Sequence, residues 1–168
     1  MGLHAPVPLQ PDHIVTGFSC GEESMDAWLR QHALRNQESG ASRTFVVTTD
    51  DSCVVGYYSL AAGHLVAIDA VGRFRRNMPD PLPVVVLGRL AVDIRFQHRG
   101  LSRAMVRDAL LRTIAAAEQL GIRGVIVHAL RNELIDYYRK LGFTSSPTTP
   151  DLLMITLKDA QAALSSPH

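Results

Sequence analysis

Leu90-Ala91-Val92-Asp93-Ile94-Arg95-Phe96-Gln97-His98-Arg99-Gly100-Leu101-Ser102 joins an apolar run to a long helical pattern, and its reading decides the fold. Upstream, Val84 to Val92 is almost continuously aliphatic, broken only by Gly88 and Arg89, which predicts a strand covered on both faces. Downstream, Leu101, Met105 and Ala109, with Leu110, Ile114 and Ala117, recur at helical spacing; the helix is predicted over Leu101–Leu120, with Gly121 as its stop. A second buried strand follows over Val125–Ala129, giving a βαβ unit with parallel strands and a right-handed crossover. A helix N-terminus offers N–H groups without intrahelical partners and a partial positive charge, so a turn wrapped round it at Gly100 suits phosphate oxygens. Arg95, Arg99 and Arg103 add formal charge nearby. The competing reading of the same residues is an ordinary strand-to-helix loop with solvated arginines, since short glycine motifs recur by chance.

Outward from this centre, Met25, Trp28, Leu29, His32 and Ala33 predict one helix over Ser24–Glu38, with acidic residues near its start and Gly40 as its stop. Thr44–Thr49 and Val54–Ala61 are β-rich and separated by Asp50, Asp51 and Ser52, which predicts a hairpin. Gly72 to Pro83, with Arg73, Arg75, Arg76 and three prolines, reads as an exposed loop after a short helix around Ala67–Gly72. Beyond the βαβ unit come a helix over Asn132–Leu141, a strand over Leu152–Leu157 and a tail from Asp159 read as a short, fraying helix.

The 168 residues fit a single domain, expected over 1–168, and 46% hydrophobic with 20% charged residues is ordinary globular composition. A net charge of +1 excludes a globally basic nucleic-acid binder. Fifteen of the seventeen basic residues are arginine, which suits phosphate recognition, although a GC-rich genome produces the same excess. Two cysteines, Cys20 and Cys53, make no disulfide framework and fit a reducing cytosol. No apolar stretch is long enough to span a bilayer, and a soluble, cytoplasmic protein is expected. No metal is expected, because His32, His64, His98 and His128 match no ligand spacing.

Gln97, Gly100 and Ser102 resemble motif A of the Gcn5-related N-acetyltransferases (GNAT), Q/R-x-x-G-x-G/A, with serine where the family has glycine or alanine. Asn132 and Tyr137-Tyr138-Arg139-Lys140-Leu141-Gly142-Phe143 resemble its motif B, an Asn followed by F-Y-x-x-x-G-F. The order and separation of the two motifs also fit. Phe18-x-Cys20-Gly21, Trp28-Leu29, Asn36, Gly40, Arg43-Thr44-Phe45-Val46, Gly56-Tyr57-Tyr58 and Leu87-Gly88-Arg89-Leu90-Ala91-Val92-Asp93 are similar to one branch, the toxins of bacterial toxin–antitoxin pairs that acetylate aminoacyl-tRNA.

The resemblance implies an α/β (α+β) GNAT fold: a mixed, mostly antiparallel sheet with a splayed parallel pair of strands, flanked by helices. It implies acetyl-CoA as acetyl donor, its pantetheine arm along Leu90, Ala91 and Val92, and its diphosphate near Arg95, Gln97, His98, Arg99, Gly100, Leu101 and Ser102, with Asn132 also contributing. An N–H at Ala91 or Val92 would face the developing oxyanion. Tyr138 would protonate the leaving sulfur, since a phenol is protonated at neutral pH; read without the motif, it only packs a helix face. Arg30, Arg35, Asn36, Arg43 and Arg89 are candidates for contact with tRNA, although surface arginines are commonly just a solvated face. A ribbon-helix-helix antitoxin and a homodimer belong to the same implication. Two other readings stay open: an acetyltransferase for a small amine or protein N-terminus, and a non-catalytic module that binds coenzyme A or a partner.

Overall fold

The structure, a computed structural model, describes residues 2–165. Its strands are β1 (Val7–Pro8), β2 (Arg43–Thr48), β3 (Val54–Leu65), β4 (Leu82–Val92), β5 (Gly124–His128), β6 (Thr144–Ser145) and β7 (Leu152–Thr156). Its helices are α1 (Glu23–Gln31), α2 (Ala33–Ser39), α3 (Gly72–Arg75), α4 (Leu101–Ala116), α5 (Asn132–Lys140) and α6 (Leu157–Ser165). The strands form one mixed sheet in the order β1-β2-β3-β4-β5-β7-β6. The predicted βαβ unit is present: β4 and β5 pair in parallel from Val84↔Gly124 to Leu87↔Val127, while β4 itself runs on to Val92. The pairs β1·β2, β2·β3, β5·β7 and β6·β7 are antiparallel, which fits the expected mixed sheet with one parallel pair.

The chain divides into two compact units, and β3, β4 and α4 contribute residues to both. In the first unit (residues 1–61 and 88–109) the core gathers Leu9, Phe18, Met25, Leu29, Ala33, Val46, Val54, Tyr57 and Ala91. The Tyr57 hydroxyl, buried with its ring, donates to the Met25 carbonyl at 2.7 Å. The first turns of α4 pack on β3: a Cβ on Gly56 would lie 3.2 Å from Met105 and 3.4 Å from Leu101. In the second unit (residues 62–87 and 110–168) Leu65, Ala70, Phe74, Leu82, Val84, Ile126, Leu152 and Met154 form the core.

Several expectations change, and the long helix expected to run to Leu120 stops at Ala116. The single helix over Ser24–Glu38 is two helices, broken at His32 (φ −123°, ψ −28°), a bend that brings Ala33 into the same core as Met25 and Leu29. The supposed exposed loop over 72–83 instead holds α3 and the start of β4, because Phe74 and Leu82 are buried despite their Arg- and Pro-rich neighbours. Arg123 donates to the Phe74 carbonyl at 2.7 Å and secures this segment. The short strands β1 and β6 were not foreseen. The C-terminal helix begins at Leu157 rather than Asp159, with the Thr156 hydroxyl accepting from the Asp159 N–H at 3.0 Å, a side-chain cap on its first turn. The tail from Asp159, expected to fray, is helical through Ser165, and its residues 166–168 lie outside the described residues.

Gly124 shows how tightly the second unit is packed. A Cβ there would run into the Ile155 carbonyl and stand 2.8 Å from the Phe74 ring. Gly124→Ala is therefore expected to destabilise the protein by about 1–3 kcal/mol, seen as a lower urea midpoint, and an unchanged midpoint would contradict this packing.

Candidate active site

The turn that follows β4 is built on a buried carboxylate. Asp93, with no exposed surface, accepts from the Arg95 N–H at 2.9 Å and the Ser19 N–H at 3.2 Å, and its oxygens meet Arg95 Nε at 2.9 Å and Nη2 at 3.0 Å. Burial pushes this carboxyl up, but the hydrogen bonds and charge of Arg95, with the Ser19 N–H, overcome it and hold the group below the usual carboxylate range. The single helical turn over Ile94–Phe96 follows directly, closed by the Phe96 N–H on the Asp93 carbonyl at 2.8 Å. The Gln97 side-chain amide then donates to the carbonyls of Val92 (2.8 Å) and Cys20 (3.0 Å), clamping the turn to the end of β4 and to the loop before α1. Gln97 thus shapes this turn through its side chain.

His98 (φ +64°) and Gly100 (φ +79°) both take left-handed backbone, the conformation that curls successive peptide N–H groups toward one side. His98, Arg99 and Gly100 are exposed, and the space a Gly100 side chain would fill is empty to 4 Å. The Gly100 carbonyl accepts from the Ala104 N–H at 3.1 Å, so Gly100 starts α4, with Leu101 and Ser102, both half-buried, in its first turn. Arg95 and Arg99 flank the Phe96 ring at 5.9 Å and 5.3 Å from its centroid. An open glycine turn at the head of a sixteen-residue helix, edged by arginines, fits a cofactor that carries a diphosphate. Just upstream in β4, Leu90 is half-buried and Ala91 and Val92 are buried.

In the second unit, Tyr138 lies on the inner side of α5 and is only 5% exposed. Its ring stands edge-on to Tyr137 (centroids 5.3 Å) and to Phe143 (5.4 Å). Gly142, at φ +109°, lets the chain reverse after α5 so that Phe143 returns to this ring, and the Phe143 N–H donates to the Tyr138 carbonyl at 3.1 Å. The phenol makes no hydrogen bond among the described residues. Burial, with a smaller contribution from Tyr137, pushes its pKa well above the ordinary tyrosine value, so the proton stays on at physiological pH. Asn132 opens α5 and is exposed.

The other candidates divide by the work they already do. Arg30 donates to the Phe18 carbonyl at 3.1 Å and to Glu23 at 3.3 Å, and Arg43 donates to the Gln37 carbonyl at 2.6 Å. The Asn36 carbonyl closes α2 by accepting from Gly40 and Ala41, both at 3.0 Å. Arg35 is exposed and has no partner among the described residues. The Arg89 guanidinium lies 4.6 Å above the Trp28 ring, which in turn stacks on Tyr57. Burial, then Asp26, pushes the Cys20 thiol up to about 11, so it is no thiolate nucleophile at neutral pH. Sequence reasoning missed the anchoring role of Asp93, whose only signal was an acidic residue between an apolar strand and Arg95, and the platform role of Trp28.

The family model for the acetyltransferase (GNAT) domain matches residues 41–145, which include both the glycine turn and Tyr138. The chain belongs to the GNAT acetyltransferase family. This acetyltransferase is 48% identical over 163 residues to the tRNA-acetylating toxin of Mycobacterium tuberculosis (strain ATCC 25618 / H37Rv), a match covering 97% of this chain and 98% of that protein. Its structure resembles that of AtaT complexed with acetyl-methionyl-tRNAfMet, with a TM-score of 0.89, 26% identity and coverage of 98% and 100% of the two chains. It also resembles a tyrosine-to-phenylalanine variant of the toxin AtaT bound to the C-terminus of the antitoxin AtaR and acetyl-CoA, with a TM-score of 0.82, 25% identity and coverage of 98% and 99%. The enzyme is an acetyl-CoA-dependent N-acetyltransferase.

Asp93→Asn is expected to destabilise this acetyltransferase by about 1.5–3 kcal/mol at neutral pH. The bonds from backbone N–H groups carry most of that, because the exposed Arg95 guanidinium is screened. A carboxyl with a depressed folded pKa stabilises above its unfolded value, about 3.9, and loses that contribution as pH falls through the folded value. The gap between wild type and variant should therefore begin to close as pH falls below about 4 and vanish only below the folded value; urea midpoints that stay parallel through that fall would contradict the assignment.

Proposed function

We infer that this acetyltransferase modifies the α-amine of an aminoacyl-tRNA and is the toxin of a toxin–antitoxin pair. The observation that carries the reading is 48% identity, along 97% of the chain, to a protein named for acetylating tRNA. Charged tRNA as acceptor places the enzyme in the cytoplasm. The inhibitory partner is an antitoxin of the ribbon-helix-helix kind, and the working form is a homodimer.

Acetyl-CoA supplies the thioester whose acetyl group passes to the amine. The chain's own part begins at the turn after β4, where backbone N–H groups around Gly100, with Arg95, Arg99 and the flanking His98, Leu101 and Ser102, hold the diphosphate. Gln97 keeps that turn in shape through the Val92 and Cys20 carbonyls. Backbone groups of Leu90, Ala91 and Val92 pair with the amides of the pantetheine arm, and a peptide N–H of Ala91 or Val92 steadies charge on the carbonyl oxygen. Asn132 adds a polar contact from the head of α5. Tyr138 holds a proton on a phenol with no hydrogen-bond partner among the described residues and gives it to the departing sulfur. No side chain is needed as base, because an α-amine with a pKa of about 7.7–8.0 is partly neutral at physiological pH, and water takes the proton its nitrogen sheds on forming the amide. Arg30, Arg35, Asn36, Arg43 and Arg89 meet the tRNA.

Incubation with labelled acetyl-CoA and a charged tRNA pool tests the acceptor: label should appear on the tRNA-borne amino acid, and label confined to free amines would refute the reading. Tyr138→Phe should lower turnover by roughly 10²–10⁴ with an unchanged melting temperature. The raised Tyr138 pKa fixes the sign of the pH response. Initial rates should climb as the amine loses its proton and show no falling limb up to pH 9, once spontaneous deacylation is subtracted; a fall in that range would remove Tyr138 as the proton donor.

A further inference from the structure

Gly88 stands in the middle of β4, between buried Leu87 and half-buried Arg89, and yet is exposed. Apart from its chain neighbours, the one atom a Cβ at Gly88 would meet within 4 Å is the Ser59 hydroxyl oxygen, at 3.0 Å. Ser59, on β3, is 4% exposed, and its hydroxyl has no hydrogen-bond partner among the described residues. Its register partner on β2, Thr44, also carries a buried hydroxyl without a partner among them. Polar groups on largely buried residues are as a rule hydrogen-bonded, so a serine hydroxyl without a partner, facing the gap left by an absent side chain, is placed to bond a ligand. One residue further along β4, the Arg89 guanidinium is held over Trp28 at 4.6 Å and has neither hydrogen bond nor ion pair among the described residues. Trp28 is itself steadied by Tyr57, with ring centroids 5.9 Å apart and planes 11° from parallel. A half-buried cation fixed by a ring and lacking an anion is poised for one from outside.

We propose that Gly88, Ser59 and Arg89 form the recess that receives the acceptor end of charged tRNA, with the Ser59 hydroxyl bonding the aminoacyl group above Gly88 and Arg89 taking the phosphate of the terminal nucleotide. The proposal rests on the aminoacyl-tRNA reading above. Gly88 is then a specificity-determining position, since the missing side chain is the room the aminoacyl group uses. Trp28 is a positioning residue that aims Arg89.

The test measures KM and kcat for charged tRNA, acetyl-CoA affinity by calorimetry, and melting temperature. Gly88→Ala should raise KM for charged tRNA by about tenfold or more, the scale on which one added carbon alters fit in a close pocket, with acetyl-CoA affinity unchanged. Adding Ser59→Ala removes the one atom the new methyl meets. The double variant should regain wild-type melting while its tRNA KM stays high; full recovery of transfer would overturn the recess, because Gly88 would then be needed only for packing. Arg89→Ala should raise KM and flatten the dependence of log KM on log salt by about one unit, and an unchanged slope would overturn its phosphate contact. A wild type that labels no tRNA sinks the acceptor reading and this proposal with it. A wild type that labels tRNA alongside an equally active Gly88→Ala variant sinks the recess alone.

Discussion

A carboxylate taken fully out of water at the end of β4 is the constraint from which the turn follows. Asp93 can remain ionised there only because two peptide N–H groups and a guanidinium converge on it. Satisfying it draws in the Ser19 loop, folds Arg95 back on its own backbone and begins the helical turn over Ile94–Phe96. That turn delivers Gln97 to the carbonyls of Val92 and Cys20, after which the chain can enter its left-handed steps at His98 and Gly100. The open glycine at the head of α4 is the far end of a sequence of contacts that starts with one buried charge.

The arginines are divided among duties that composition alone conceals. Arg123 spends its donors on the backbone carbonyls of Arg73 and Phe74, Arg73 reaches Asp159 at 3.2 Å and Arg95 serves Asp93. Guanidinium suits such work because its fixed fork satisfies carbonyls and carboxylates that a lysine ammonium would meet at one point. The surface available to a polyanion is therefore smaller than fifteen arginines suggest.

The parts of the fold written as uninterrupted patterns were legible in the sequence. The strand through Val84–Val92, the start of the long helix after Gly100 and the helix that carries Tyr138 each appear where periodicity put them, because each repeats one physical preference over many residues. Features set by a single distant contact were not legible. The break at His32 depends on Ala33 reaching the core, and the ordering of residues 72–83 depends on Phe74 and Leu82 finding apolar neighbours and on Arg123 reaching back to a carbonyl. The two-residue strands β1 and β6 owe their existence to the strands they pair with. At the candidate site the glycine turn and the phenol could be read, whereas the Trp28 platform under Arg89 and the unpaired hydroxyl of Ser59 are products of sheet register and close approach.

Tyr138 is held by its ring and by its backbone carbonyl, with Tyr137 and Phe143 against its edges. Its oxygen contributes to none of these contacts. On the proposed role of Tyr138 as proton donor, folding and chemistry at this residue answer to different atoms: a planar six-membered ring keeps the helix seated, while the oxygen serves only the reaction. If the phenol has that role, drift that preserves aromaticity here leaves an intact but silent protein, so a lineage could disarm the enzyme in one step without creating a misfolded burden for the cell.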